Sequence, residues 1–371
     1  MTEYSLTSQR GLEISVDAGI QLTFTAYGWP EGTPDRQVYQ EELRLAELAA
    51  DLGFSVVWCA EHHFFDYSFC PDNVQVLSYL AGRCNGVEVG TAAVILPWHD
   101  PLRVAEQISV LDIMVDGRLR LGLGRGLSRR EFVGFRSDLG LSRELFDESA
   151  TMIIDALRTG YMKGDGPHFL QPLVEIRPRP ERPFDDRLYV VASSSESVEV
   201  AARLKARLTM FADRTWEHRL PGIELYRQKY AEYHGTPPPR PMTGDFTVCL
   251  SDPDRADEIA QRHLGGYLPS VLEHYELAGE HFEATKGYAS YATASAQLRA
   301  MGMERYLSSW LGASAYGTPD QVLATLDARR RLLGDYELQT AFRFGGIPYP
   351  VAEESLRLFA AEVLPVLKTW P

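Results

Sequence analysis

Glu61-His62-His63 closes an apolar run, and a carboxylate beside imidazoles at such a place suits proton transfer near neutral pH. Neighbouring side chains of an extended segment point to opposite faces, so one histidine is expected to enter a pocket while the other packs behind it. A metal site built from this pair is therefore not expected. A second constellation suits a phosphate dianion. Ser193, Ser194 and Ser195 precede a helix whose first turn holds Glu196 and Ser197, and Arg125 ends another apolar run. Hydroxyls, free backbone N–H groups and a guanidinium together supply charge and directed donors. Ser193 or Ser194 acting only as a helix cap is the alternative. The glycine spacing of Gly122-Leu-Gly124-Arg-Gly126 falls one residue short of GxGxxG, Arg125 fills the tight turn, and no acidic residue follows where a ribose needs one. Glycines there more plausibly let a ligand approach the backbone.

These residues need a frame that brings them together. Apolar periodicity predicts strand and helix in alternation: 20–26 and 37–52, 55–60 and 73–83, 87–96 and 101–114, 119–123 and 142–159. After a Pro- and Arg-rich connection over 164–187 the series resumes with 188–192 and 195–204, 208–211 and 216–233, a seventh strand at 244–250 with helices at 253–263 and 318–333, then 337–343 and 350–367. Eight alternations with near-continuous apolar strands predict an α/β fold, a closed (β/α)8 barrel over 1–371 as a single domain. An open doubly wound sheet is the alternative. Residues 264–313 stand outside the repeat as an insertion after strand 7, expected to be a lid, binding loop or interface. In a barrel, chemistry sits at the carboxyl ends of the strands. There the sequence places Glu61-His62-His63, Trp98-His99-Asp100, Arg125, the serines, Asp213-Arg214 and Arg343. Trp29, Phe64, Trp98 and Phe344 are expected to give the pocket an aromatic wall.

Composition excludes several classes. With 45% apolar and 24% charged residues the chain of 371 residues can bury a full core. A net charge of −14, from 37 basic and 51 acidic residues, disfavours nucleic acid and anionic membrane as partners. No apolar run spans a bilayer. Cys59, Cys70, Cys84 and Cys249 lack CxxC spacing, and the first residues lack a basic, apolar leader pattern, so a reducing cytoplasm is expected. No role is assigned to residues 1–17, an N-terminal extension.

Four motifs in register then resemble the bacterial luciferase-like flavin monooxygenases: Trp58-Cys-Ala-Glu-His-His-Phe64, Val89-Gly-Thr-Ala-Ala-Val-Ile-Leu-Pro97, His99-Asp-Pro-Leu-Arg-Val-Ala-Glu106 and Asp116-Gly-Arg-Leu-Arg-Leu-Gly-Leu-Gly-Arg-Gly126. The likeness covers about residues 20–367 and is strongest to the luciferase alpha-subunit branch. It implies a barrel that binds reduced FMN, with the phosphate held by Arg125, Arg143, Ser194 and Ser197, and Ser193 in the same loop. It implies a non-prolyl cis peptide at Ala92-Ala93 beneath the flavin ring, an active-site pair Glu61 and His62, and a mobile lid around 285–288. Gly124 stands where luciferase carries a reactive cysteine, and Ser193 replaces an acidic residue, departures that weigh against light emission and a long-chain aldehyde substrate without deciding either.

The implied activity is oxygenation of a small organic substrate by reduced FMN and O2 through a C4a-hydroperoxyflavin, with His62 bonding or protonating the peroxide oxygen. Reduced flavin would come from a separate NAD(P)H:flavin reductase, and a homodimer is the family's usual state. Hydride transfer with deazaflavin F420, a non-catalytic accessory subunit, and a metal-dependent hydrolase using His62, His99, Asp100 and Asp213 are the alternatives.

Overall fold

The computed structural model describes residues 16–370; most of the extension at 1–17 lies outside them. Eight parallel strands, Ala18–Leu22, Val56–Cys59, Glu88–Thr91, Leu119–Gly124, Leu188–Val191, Arg207–Phe211, Met242–Phe246 and Glu337–Ala341, run in ring order. The first pairs with the last through Ile20 and Thr340, and the third pairs with the fourth through Val89 and Leu119. That second pairing closes the sheet, so the fold is a barrel and the open-sheet alternative falls. The helices Asp35–Asp51, Asn73–Ala81, Pro101–Met114, Ser142–Thr159, Ser195–Arg203, Leu220–His234, Pro319–Leu333 and Tyr349–Leu358 cover its outside. Their starts follow local chemistry: Asp72, Asp100, Ser194 and Thr318 cap backbone N–H groups of the first turns.

The barrel floor is filled by large side chains whose neighbours give way. Trp58 crosses the interior against Gly19 and Gly90, where an added Cβ would stand 2.6 and 2.2 Å from the indole. Val56, Tyr189 and Met242 complete this layer. Below it, Arg120 meets Asp17, Glu88 and Glu337, and Tyr189 donates to Glu337 at 2.8 Å. Both side-chain layers close the amino end of the barrel.

Three departures from the periodicity have local causes. The expected strand 87–96 breaks after Thr91 at a cis Ala92-Ala93 peptide and resumes as Val94–Ile95 before a 3-10 turn, Leu96–Trp98. The expected strand 244–250 leaves the barrel after Phe246, and Val248–Cys249 pairs instead with Tyr316–Gly317, outside the ring. The 164–187 connection contains most of an antiparallel hairpin, Tyr161–Asp165 with Leu170–Glu175, whose strands are too exposed to show an apolar alternation. Residues 264–313 are mostly helical, in the segments Gly265–His274, His281–Ala284, Ala289–Met301 and Met303–Ala313, and they lie over the carboxyl rim.

Candidate active site

A cavity of about 360 Å3 opens at the carboxyl ends of the strands beneath the 264–313 helices. Gln21, Ala92, Ala93, Gly124, Arg125, Ser193 and Gln339 line its barrel side, and Tyr267, Tyr275, Tyr291, Leu298 and Trp310 form its roof. The expected aromatic wall is corrected here. Trp29, Phe64, Trp98 and Phe344 are not among the lining residues: Trp29 lies under Arg343, Phe64 is exposed, Trp98 stacks on Phe135 and Phe344 is buried. Side chains at strand ends fill barrel tops as readily as pockets, and the insertion supplies most of the aromatic surface instead.

Glu61 and His62 diverge in environment although they adjoin. The buried Glu61 carboxylate accepts from His99 Nε2 at 2.7 Å, Trp98 Nε1 at 2.8 Å, His63 Nε2 at 3.2 Å and the Ile95 backbone N–H at 3.1 Å. Burial alone would raise its pKa, but the His63, His99 and Trp98 donors hold it below the ordinary 4.5. Burial opposes charge on His99, yet Glu61 raises its pKa above 6.5. Glu61 thus fastens the loops after the second and third strands. His63 packs behind, as expected, while Glu61 and His62 both line the cavity. The His62 Nδ1 lies 3.1 Å from Glu131 Oε1, and its Nε2 lies 3.3 Å from the Tyr275 hydroxyl. Glu131 Oε1 also accepts the His63 backbone N–H at 2.8 Å. Burial would raise the Glu131 pKa, but His62 and His274 beside it pull it far below 4.5.

The residues expected to hold a phosphate come from three elements, and of the two arginines only Arg125 lines the cavity. Arg125 lies on the cavity wall with Nη1 buried and without a hydrogen-bond partner, and its guanidinium stacks 4.4 Å from the Tyr288 ring centre. Arg143, in the first turn of Ser142–Thr159, donates to the Gly287 carbonyl at 3.1 Å. Both arginines, with Arg203, act on Asp147, whose pKa is nonetheless raised by burial. Ser194 forms a reciprocal capping box with Ser197 and is buried behind the rim, so the cap reading holds for it. Ser193 and Ser197 line the cavity. A phosphate fits this donor set: a free buried guanidinium nitrogen, serine hydroxyls and the start of a helix.

His99, Asp100 and Asp213 do not gather around His62. They serve Glu61, the Arg103 backbone N–H and Arg219 respectively, which removes the alternative hydrolase metal set. Arg343 turns away from the cavity to Glu41 and Glu42. Sequence reading missed Glu131, His274 and Tyr275. Glu131 sits on Arg129–Phe135, too short for a helical period, and the others lie in the insertion, where no barrel repeat fixes direction. The adjacent His274-Tyr275 pair was the available signal.

Fold and site together define a (β/α)8 barrel with a roofed cavity at its carboxyl rim, whose wall includes Arg125, Ser193, Ser197 and the His62 imidazole. The profile of the luciferase-like monooxygenases matches residues 18–336, and the chain belongs to that family. It is 26% identical over 336 residues to the alkanal monooxygenase alpha chain of Photorhabdus laumondii, covering 90% of this chain and 93% of that one. Among solved structures, monooxygenase RslO1 from Streptomyces bottropensis superposes with a TM-score of 0.80 at 25% identity, covering 94% of this chain and 99% of that one. The oxygenating constituent of 3,6-diketocamphane monooxygenase from Pseudomonas putida, in complex with FMN, gives 0.74 at 16% identity, covering 95% and 99%. The coenzyme F420 dependent tetrahydromethanopterin reductase of Methanopyrus kandleri gives 0.66 at 18% identity, again covering 95% and 99%. The last two likenesses concern the fold. No described helix is long and apolar enough to cross a membrane.

Proposed function

We propose that this chain is a two-component flavin-dependent monooxygenase that uses reduced FMN and O2 to place one oxygen atom on a small organic substrate. The observation that carries the reading is Arg125, a buried guanidinium nitrogen without a partner on the wall of the cavity that Ser193 and Ser197 also line. Reduced FMN, when bound, supplies the electrons that activate oxygen. Arg125, Arg143, Ser193 and Ser197 would hold its phosphate at the helix start that Ser194 caps, and Ala92 and Ala93, on the cavity wall, would contact its ring. Glu131 fixes one nitrogen of His62, which leaves the other, beside the Tyr275 hydroxyl, to hold or deliver a proton within the cavity. Glu61 is a positioning residue for this loop. The 264–313 helices form a lid that keeps water out, and residues 1–371 act as a single domain.

The chain lacks a dinucleotide turn, which supports a separate NAD(P)H:flavin reductase as its partner. A homodimer through the second and third units is supported by Tyr79, Val110, Ile113 and Met114, exposed on adjoining helices. Its four free cysteines suit the cytoplasm. Anaerobic titration with reduced FMN and with F420, followed by oxygen, tests the reading. Saturable FMN binding with oxygen consumption is expected. Binding of F420 alone would replace it with hydride transfer, and binding of neither would leave an accessory role.

A further inference from the structure

The cluster behind His62 has a geometry that its hydrogen bonds do not exhaust. His62 Nδ1 lies 3.1 Å from Glu131 Oε1, and His274 Nε2 lies 3.6 Å from the same oxygen, beyond hydrogen-bond length. These three atoms lie within 4.8 Å of one another. His274 is almost wholly buried, and neither of its ring nitrogens has a hydrogen-bond partner. A buried imidazole left without partners is uncommon, because each desolvated nitrogen forfeits its bond to water. The ring is held in place by stacking on Tyr67, at 4.3 Å between ring centres.

We propose that His62, Glu131 and His274 form a site for a divalent transition-metal cation. Two imidazoles and one carboxylate are a donor set that zinc and cobalt accept. Metal–ligand bonds of about 2.0–2.2 Å place tetrahedral donors ~3.3–3.6 Å apart; of the two separations to Glu131, 3.6 Å meets that span and 3.1 Å falls just short of it. The cation takes the place of the proton shared by His62 and Glu131. Orientation of the ligands is already supplied, by the His63 backbone N–H on the carboxylate and the Tyr275 hydroxyl at His62 Nε2. The three ligands come from the end of the second barrel strand, the Arg129–Phe135 helix and the Gly265–His274 helix of the roof. A bound cation therefore fastens the roof to the barrel and engages the imidazole that faces the cavity.

Cobalt(II) titration of the flavin-free protein, stripped with chelator, reads the site without any activity measurement. One equivalent is expected to give visible ligand-field absorption, displaced by zinc, together with shifted exchangeable imidazole protons from two histidines in the NMR spectrum. His274→Phe, which keeps the stacked ring, and Glu131→Gln are each expected to weaken zinc binding by about tenfold or more, while His168→Ala leaves it unchanged. Absence of saturable binding, or equal affinity in His274→Phe, overturns the proposal. So does a thiolate-to-cobalt charge-transfer band, which would assign the metal to the neighbouring buried thiols Cys59 and Cys70. If His274→Phe does not fold, as judged by circular dichroism, the imidazole proton signals of the native protein decide alone: two support the site and none overturns it.

Discussion

Replacing Arg125 by methionine separates the charge of the cradle from its shape. The guanidinium has two environments: a ring face, Tyr288 at 4.4 Å, and a buried nitrogen without a partner at the cavity wall. Loss of the ring contact weakens the local packing by about 1–2 kcal/mol whatever ligand is bound. Loss of a charge-assisted hydrogen bond to a phosphate removes about 1.5–3 kcal/mol more, and only for a ligand that carries a phosphate. At RT near 0.59 kcal/mol that second loss corresponds to roughly 10–150-fold in Kd. Anaerobic quenching of tryptophan fluorescence, run with reduced FMN and with reduced riboflavin, measures both. Arg125→Met is expected to weaken FMN by the full factor beyond any loss seen for riboflavin. Equal losses for the two would mean that Arg125 only shapes the cavity, and unchanged FMN affinity would remove the arginine from the cradle altogether.

Other expectations follow from the same site and its supports. His62→Ala should keep FMN binding within about twofold while the rate of product formation falls by ~10²–10⁴ and less product forms per reduced flavin; unchanged coupling removes the imidazole from the reaction. The Glu61–His99 pair sets a pH window. The lowered Glu61 pKa gives stability that is complete above 4.5 and lost as pH falls, and the raised His99 pKa gives stability complete below 6.5 and lost as pH rises. The melting-temperature gap between the native protein and Glu61→Gln should therefore be widest between pH 4.5 and 6.5, and a gap that keeps widening above that range would contradict the assignment. Gly90→Ala drives a methyl into Trp58 and should destabilise by about 1–3 kcal/mol in urea unfolding, with Trp58→Leu relieving most of the loss; a neutral Gly90→Ala would mean that the floor is loosely packed. Residues 264–297 should be cut more slowly by protease when reduced FMN is present, and no protection would argue against a lid.

The repeat of the barrel was legible because its strands are apolar on both faces and its helices on one, so 101–114 and 142–159 emerge from periodicity alone. The polar residues after the strands were legible for the same reason, since the fold dictates where a strand end must lie. That rule is silent about direction. It placed His62 and Arg125 at the rim together with Trp98 and Arg343, and only packing decides that the first two line the cavity while the others bond to Glu61, Glu41 and Glu42. The partners of His62 could not be placed because Glu131 lies 69 residues away and Tyr275 lies 213 residues away, in segments with no repeat to locate them.

With Trp58 packed across the floor, a guest that touches Gln21 and Gln339 lies between that floor and the helices above. The room it finds is therefore set from above: a bulkier side chain on the roof shortens the space, whereas the floor, locked against Gly19 and Gly90, has nowhere to yield.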